Sequence, residues 1–318
     1  MKKPLILITG PTASGKTQSS VRLAEYLNGE IISADSMQVY RGMDIGTAKV
    51  KKEEMRQIPH HMIDVMEADE SCNISWFKTQ VAQKIDEVIA RGKVPILVGG
   101  TGFYINAVLF DTTFEEAEAL PSYREALEAE VKVIGNEALH RQLQDIDPES
   151  AQAIHPNNVK RVIRALEYYK QTGKCISAHN QEEKAKHHAI ESPYAYTFFA
   201  LEMDRALLYE RINYRVDLMV AEGLVEEVEK FYKAGYTSDM PSMKAIGYKE
   251  LFPYFEGKAS LEECIALLKQ NTRHYAKRQM TWLRNQAKPH FIRVDQHAFD
   301  SKEIVEEMIQ VLKKKMSV

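Results

Sequence analysis

Leu5-Ile6-Leu7-Ile8-Thr9-Gly10-Pro11-Thr12-Ala13-Ser14-Gly15-Lys16-Thr17 decides the fold. The four aliphatic residues read as a buried strand, because a strand covered on both faces is a continuous apolar run. Gly10 to Thr17 then matches the pattern GxxxxGK[ST], and Lys16 to Leu27 continues as a helix. Such a loop is a phosphate cradle. Its glycines let the backbone curl so that N–H groups aim at phosphate oxygens, the helix N-terminus adds positive potential, and Lys16 adds a full charge. Pro11, Thr12, Ala13 and Ser14 complete the loop, and the Thr17 hydroxyl is placed to hold Mg2+. A diphosphate or triphosphate binds here. Ile31 to Ala34 is a second apolar strand, which closes a βαβ unit and makes the fold class α/β with a parallel sheet.

Outward from that unit the same grammar repeats. Trp76 to Ala90 has a helical pattern and Lys93 to Val98 is another buried strand, running into Gly99-Gly100-Thr101-Gly102. From about Phe114 to His188 the chain is helical and strongly charged, without a clear apolar strand, until Tyr196 to Met203 reads as sheet again. This divides the chain into a core of residues 1–113 and 195–318 and a helical insertion of residues 114–194, with a late strand at Phe291 to Val294 returning to the core. At 318 residues the chain has room for both parts.

With 44% hydrophobic and 27% charged residues the composition is that of a globular protein and excludes a wholly disordered or fibrous chain. The net charge of −3 means that any polyanion has to be held by a local basic surface. Cys72, Cys175 and Cys264 are scattered and unpaired in spacing, so neither a disulfide framework nor a zinc site is encoded. The adjacent pairs His60-His61 and His187-His188 lack metal-ligand spacing as well. No apolar run approaches the span of a bilayer, and nothing points to an obligate protein partner. The expected location is the cytoplasm, with no membrane attachment.

The cradle alone leaves open a nucleotide kinase, an NTPase switch and a transferase that expels diphosphate. Asp35 ends the second strand and Thr101 follows another, so both belong at the carboxyl edge of the sheet beside the cradle. In a kinase Asp35 would hold magnesium; in a transferase acting on an amine it would accept the nucleophile's proton. Two basic stretches point to a nucleic acid. Between Asn271 and Arg293 stand Arg273, Lys277, Arg278, Arg284, Lys288 and Arg293 without an acid, interleaved with Tyr275, Trp282 and Phe291. At helical spacing Arg273, Lys277 and Arg284 share one face, while Trp282 and Leu283 pack inward or stack on a base. The second cluster, Lys160, Arg161 and Arg164, follows Asn157-Asn158 in the insertion.

Longer motifs then add a family resemblance. The cradle, the run Asp35-Ser36-Met37-Gln38-Val39-Tyr40-Arg41-Gly42-Met43-Asp44-Ile45-Gly46-Thr47-Ala48-Lys49, Gly99 to Gly102, Ile154 to Asn158, Ala245-Ile246-Gly247-Tyr248 and Tyr275 to Arg284 occur in order. Together they resemble the bacterial tRNA dimethylallyltransferases. The resemblance implies a P-loop NTPase-like core with a helical insertion, dimethylallyl diphosphate as donor, Mg2+ as cofactor, and adenine-37 in the anticodon loop of tRNAs reading codons that begin with U as acceptor. It implies Asp35 as general base on the adenine amine, with Lys16, Thr101 and Arg124 assisting the departing diphosphate. It further implies that Asp35, Ser36, Met37 and Gln38, then Val159, Lys160, Arg161, Val162 and Ile163 hold the anticodon stem-loop. The same is implied for Lys244, Ala245, Ile246, Gly247, Tyr248 and Lys249, and for Lys277, Arg278, Gln279, Met280, Thr281, Trp282, Leu283 and Arg284. Val50 and Cys72-Asn73-Ile74-Ser75 depart from the family pattern without touching the proposed chemistry.

Overall fold

A computed structural model describes residues 2–110, 121–189 and 192–316. The chain divides into two compact units, residues 1–111 with 193–318, and residues 112–192. Phe114, where the sequence places the start of the insertion, lies outside the described residues.

The first unit is built on a six-stranded, all-parallel sheet. In chain order its elements are β1 Lys3–Thr9, α1 Lys16–Leu27, β2 Gly29–Ser33, β3 His60–His61, α2 Ile74–Ala90, β4 Val94–Val98 and α3 Gly102–Leu109. After the second unit the chain returns as β5 Tyr194–Glu202, runs through a set of helices to β6 at His290–Arg293, and ends on a further helix. The strand order is β3-β2-β4-β1-β5-β6, with Leu7 level with Leu97 on one side and Phe198 on the other.

The apolar runs are continuous because both faces are buried. Leu5, Leu7, Ile32, Leu97, Phe198 and Ala200 point into one core, which also takes Phe77, Val81 and Ile85 from α2. Ile6, Ile8, Ile31, Ile96, Phe199 and Leu201 alternate into the other, against Val21, Leu23 and Ala24 of α1. This is the period-two register of a strand between two helical layers. The two-residue edge strand β3 has no apolar signal at all. It is held by pairing with Ile31 and Ile32 and by His61 Nε2, which meets Glu30 Oε2 at 2.7 Å. Helix α2 starts two residues before the apolar periodicity at Trp76, because the Asn73 side chain accepts from the Trp76 N–H and caps it.

The second unit consists of α4 Pro121–Ile134, α5 Asn136–Ile146, α6 Pro148–Ala153, α7 Val159–Thr172 and α8 Ile176–Ala189. Its own small core contains Leu127, Leu139, Leu143, Val162, Ile163 and Leu166. The remaining helices of the first unit are α9 Arg205–Ala221, α10 Leu224–Lys233, α11 Phe252–Phe255, α12 Leu261–Trp282 and α13 Ser301–Met316. Helix α12 begins at a capping box formed by Ser260 and Glu263, and its end passes into a π-turn over Leu283–Ala287. No helix among the described residues is long and apolar enough to cross a membrane.

Candidate active site

Three adjacent strands, β2, β4 and β1, deliver their carboxyl ends to one edge of the sheet. From β1 the chain enters the cradle with Gly10 at φ 144°, Ala13 at φ 64° and Gly15 at φ 87°. A side chain at Gly10 would place its Cβ 2.7 Å from the Leu201 carbonyl oxygen, so the glycine is sterically required. Lys16 Nζ donates to the Gly10 carbonyl at 2.9 Å and the Pro11 carbonyl at 2.7 Å. The Ser14 hydroxyl is 1% exposed and has no protein partner, a buried polar orphan inside the loop. A phosphate oxygen would supply the missing partner, so the loop fits a phosphate group. Thr17, at the first turn of α1, is the residue here that would hold Mg2+.

This edge holds both cations and carboxylates: Asp35 lies among the charges of Lys16 and Arg215, and Glu54 also reaches Arg215. Asp35 follows β2; its Oδ1 accepts the Met37 N–H at 2.9 Å, which fixes the carboxylate in a local turn. Burial raises the Asp35 pKa above the usual carboxylate range, opposed by the Met37 amide and by the charges of Lys16 and Arg215. Lys16 is lowered to about 7 by burial and by repulsion from Arg215, with Asp35 pulling the other way.

Sequence reasoning missed Arg215 and Arg211, both on α9. Arg215 Nη1 donates to Thr12 Oγ1 at 3.4 Å, and Arg211 Nε donates to the Ala13 carbonyl at 3.1 Å. Their i, i+4 spacing puts both on one helical face, but a helix that also carries Glu210 and Asp217 reads as a solvated surface until the fold aims it at the cradle. Thr101 stands at the N-cap of α3, with the Tyr275 phenol close to it. The same ring lies near Asp35, and burial pushes its phenol up to about 12. Asp35, Lys16, Thr12, Arg215, Thr101 and Tyr275 thus form one polar crevice of the first unit.

A family model described as IPP transferase matches residues 38–286. The chain belongs to this family. It is 49% identical over 313 residues to a tRNA dimethylallyltransferase of Lachnoclostridium phytofermentans, covering 98% of each chain. It is 52% identical over 284 residues to the enzyme of that name from Bacillus pumilus, covering 89% of this chain and 87% of the other. The crystal structure of the tRNA isopentenylpyrophosphate transferase from Bacillus halodurans superposes with a TM-score of 0.72 at 46% identity, covering 99% of both chains. A eukaryotic dimethylallyltransferase acting on tRNA gives the same TM-score of 0.72 at 33% identity, over 88% of this chain and 70% of the other.

Within the family motifs the structure separates side chains that face outward from those that build the scaffold. Ser36, Met37 and Gln38 are half-buried, and Gln38 is engaged internally, donating to the Thr47 and Ala48 carbonyls at 3.2 and 3.4 Å. Lys244 and Lys249 are exposed, and Ile246 is half-buried. Ala245 and Tyr248 are buried. The Tyr248 hydroxyl donates to Glu227 Oε1 at 2.5 Å, and its ring would meet any Cβ at Gly46 at 2.4 Å. Glu227 also accepts the N–H groups of Asp44, Ile45 and Gly46 at 2.8 to 3.0 Å, so one buried carboxylate joins two motifs distant in sequence. Gly247 has φ 105°, which only glycine adopts freely.

On α12 the side chains of Arg273, Lys277 and Arg284 meet different surroundings. Arg273 Nη1 donates to Asn213 Oδ1 at 2.6 Å, and Arg284, carried round by the π-turn, pairs with Glu202 at 3.1 Å. Lys277 instead lines an open groove of about 430 Å³ with His274, Arg278, Thr281, Trp282 and Asn285. Gln279 and Leu283 point inward and are buried, and Met280 is half-buried. In the second unit Lys160 and Arg161 are exposed at the start of α7, whereas Val162 and Ile163 fill its core. Arg124 also belongs to this unit; its Nη2 donates to Glu167, a carboxylate only 1% exposed that also pairs with Arg164. The exposed members of these motifs are thus lysines, arginines and Thr281, while the buried members hold them in place.

Among the described residues no cluster of three or more His, Cys, Asp or Glu side chains forms a metal site. Cys72, Cys175 and Cys264 are free thiols.

Proposed function

We propose that this chain transfers the dimethylallyl group from dimethylallyl diphosphate to N6 of adenine-37 in the anticodon loop of tRNAs that read codons beginning with U, giving N6-dimethylallyladenosine and diphosphate. The observation that carries the reading is the pairing of a phosphate cradle with the carboxylate of Asp35, which faces the charges of Lys16 and Arg215. Membership of a family whose relatives are named tRNA dimethylallyltransferases supports a dimethylallyl group as what is transferred and tRNA as its acceptor.

The chemistry follows from where charge develops. As the allylic carbon–oxygen bond breaks, negative charge grows on the diphosphate, and the cradle amides, Lys16, Arg215 and Arg211 are directed at it. Bound Mg2+ would supply further Lewis-acid neutralisation of that charge, with Thr17 among its ligands. Thr101, close to the Tyr275 phenol, assists the leaving group in our reading. The exocyclic amine attacks the allylic carbon, and Asp35 takes the proton that the new C–N bond displaces. An adenine inside a stacked loop hides this amine. The base has to be flipped out at a cost of about a few kcal/mol, which backbone contacts from the basic groove of α12 and from Lys160 and Arg161 offset. A small-molecule kinase has no use for that groove. We place the reaction in the cytoplasm, where its tRNA substrate is found.

The test is incubation of pure protein with unmodified tRNA, dimethylallyl diphosphate and Mg2+, followed by mass spectrometry of the nucleosides. A dimethylallyl adduct on adenine-37 is expected. Absence of the adduct together with tight tRNA binding would point to a nucleotide-controlled RNA-binding switch instead.

A further inference from the structure

The two arginines that α9 sends to the cradle are held in different ways. Arg215 shares its surroundings with the carboxylates of Asp35 and Glu54. Among the described residues the partners of Arg211 are the Ala13 carbonyl, which accepts from Nε at 3.1 Å, and the ring of Phe299, whose centroid lies 4.2 Å from the Arg211 Cζ. The guanidinium carbon stands over the ring at the distance of a cation–π contact. A carboxylate would also fix a guanidinium, but it would cancel the charge and occupy the N–H donors. An aromatic face fixes it while leaving the Nη hydrogens and the charge for an anion.

Phe299 is presented by a clamped turn between β6 and α13. Its N–H donates to the Val294 carbonyl at 2.9 Å, and the Val294 N–H donates to the Glu202 carbonyl at the end of β5, also at 2.9 Å. On the far side of the turn, Arg22 Nε of α1 donates to Ser301 Oγ at 3.2 Å. Ala298 and Phe299 both take left-handed backbone, with φ 48° and 62°. For a residue as bulky as phenylalanine this is an outlier, and such strain persists where surrounding contacts over-determine it. What the strain secures is the direction of the ring, which lies half-buried against the same core as Ala13. Ala13 is itself left-handed at φ 64°. Arg211 therefore joins a strained turn of the cradle to a strained turn after β6.

On the reading of Arg211 as a diphosphate ligand, we propose that Phe299 is a positioning residue for the donor site, which holds the Arg211 guanidinium at the cradle before the anion arrives. A long side chain free in solvent has to be ordered when it binds a ligand, and that ordering weakens affinity. A guanidinium already seated on the Phe299 ring and the Ala13 carbonyl loses less freedom, so the ring tightens diphosphate binding. Phe299 does this without touching the substrate, acting through Arg211 alone.

The experiment is a double-mutant cycle on the Kd of inorganic pyrophosphate with Mg2+, using the wild type, Phe299→Leu, Arg211→Met and the double variant. Leucine keeps an apolar side chain and a Cβ, hence the same backbone strain, and removes the π-face. In the wild-type background Phe299→Leu should weaken binding about 3- to 10-fold, the scale of a partly desolvated cation–π contact. In the Arg211→Met background it should change nothing. Phe299→Tyr restores the face and should bring Kd back to within about twofold of the wild type. Should Phe299→Leu not fold, Phe299→Met takes its place in the cycle. A merely structural role would weaken binding by the same factor in both backgrounds. That result, an unchanged Kd in Phe299→Leu while Arg211→Met weakens binding, or failure of Phe299→Tyr to restore it, overturns the proposal. Wild-type affinity in Arg211→Met would instead overturn the reading of Arg211 as a diphosphate ligand, and the role of Phe299 with it, so the two failures are told apart.

Discussion

Lys16 and Asp35 work against each other electrostatically, and their opposing needs shape the pH dependence of the reaction. Lys16, lowered to about 7 in the free protein, is largely neutral in alkaline solution, whereas a diphosphate needs the ammonium form. Donor binding above pH 7 therefore takes up a proton, and donor affinity should fall by up to about tenfold per pH unit until the pKa of Lys16 in the complex is passed. Titrating pyrophosphate affinity from pH 6 to 9 checks this, and Lys16→Ala should flatten the profile. The same substitution should slow turnover about 100-fold, the effect of about 3 kcal/mol lost from leaving-group stabilisation, with RNA affinity nearly intact. Asp35 has the opposite sign. Its raised pKa means that the reactive carboxylate is lost as pH falls through that value, giving the acid limb of single-turnover rates. Asp35→Asn should keep donor binding and abolish this limb together with the rate; turnover near wild type would return Asp35 to a structural role.

At the level of elements, helices are read by their exposed faces, and helix α12 is the case with most at stake. Its groove and the start of α7 present separate cations in a chain of net charge −3. Lys277→Glu and Arg161→Glu should each weaken tRNA binding, more at low salt than at high. The slope of log affinity against log salt should flatten by about 0.7 to 0.9 for each phosphate that is no longer neutralised. Single-turnover rates at saturating tRNA should largely recover. Unchanged slopes with collapsed rates would show that these side chains act in chemistry or folding. Arg273 serves as the internal control. It is bonded to Asn213 and absent from the groove, so Arg273→Gln should leave the slope unaltered.

Across the whole molecule the sheet has one end for chemistry and another for stability. Glu30, at the start of β2 and 3% exposed, gathers His61, Arg91 and Lys93 around one carboxylate. Burial would raise its pKa, but the hydrogen bonds from Arg91 and His61 and the charge of Arg91 prevail and hold it down at about 2. A depressed folded pKa stabilises the protein at pH values above the ordinary carboxylate range, and the contribution is lost as pH falls toward 2. Glu30→Gln should cost about 1 to 3 kcal/mol at pH 7, with the gap to wild type narrowing below pH 4 in urea unfolding. A gap that does not change with pH would mean that packing, not charge, is the contribution of Glu30.

The sequence alone determined what local chemistry dictates. A buried strand is a run of aliphatic residues, a phosphate cradle needs glycines at set spacing, and Asp35 and Thr101 follow strands, so their common edge was legible in the chain itself. Tertiary structure decided everything that depends on which faces meet. Arg215 and Arg211 join the cradle because α9 packs beside it, and Glu227 reaches the Asp44–Gly46 turn from an element almost two hundred residues away in sequence. Gln279 turned inward while Lys277 turned out, and Arg284, in the π-turn, met Glu202 of β5. Local spacing fixes the direction of a side chain relative to its own helix. Only packing fixes what that direction meets, because the partner comes from elsewhere in the chain.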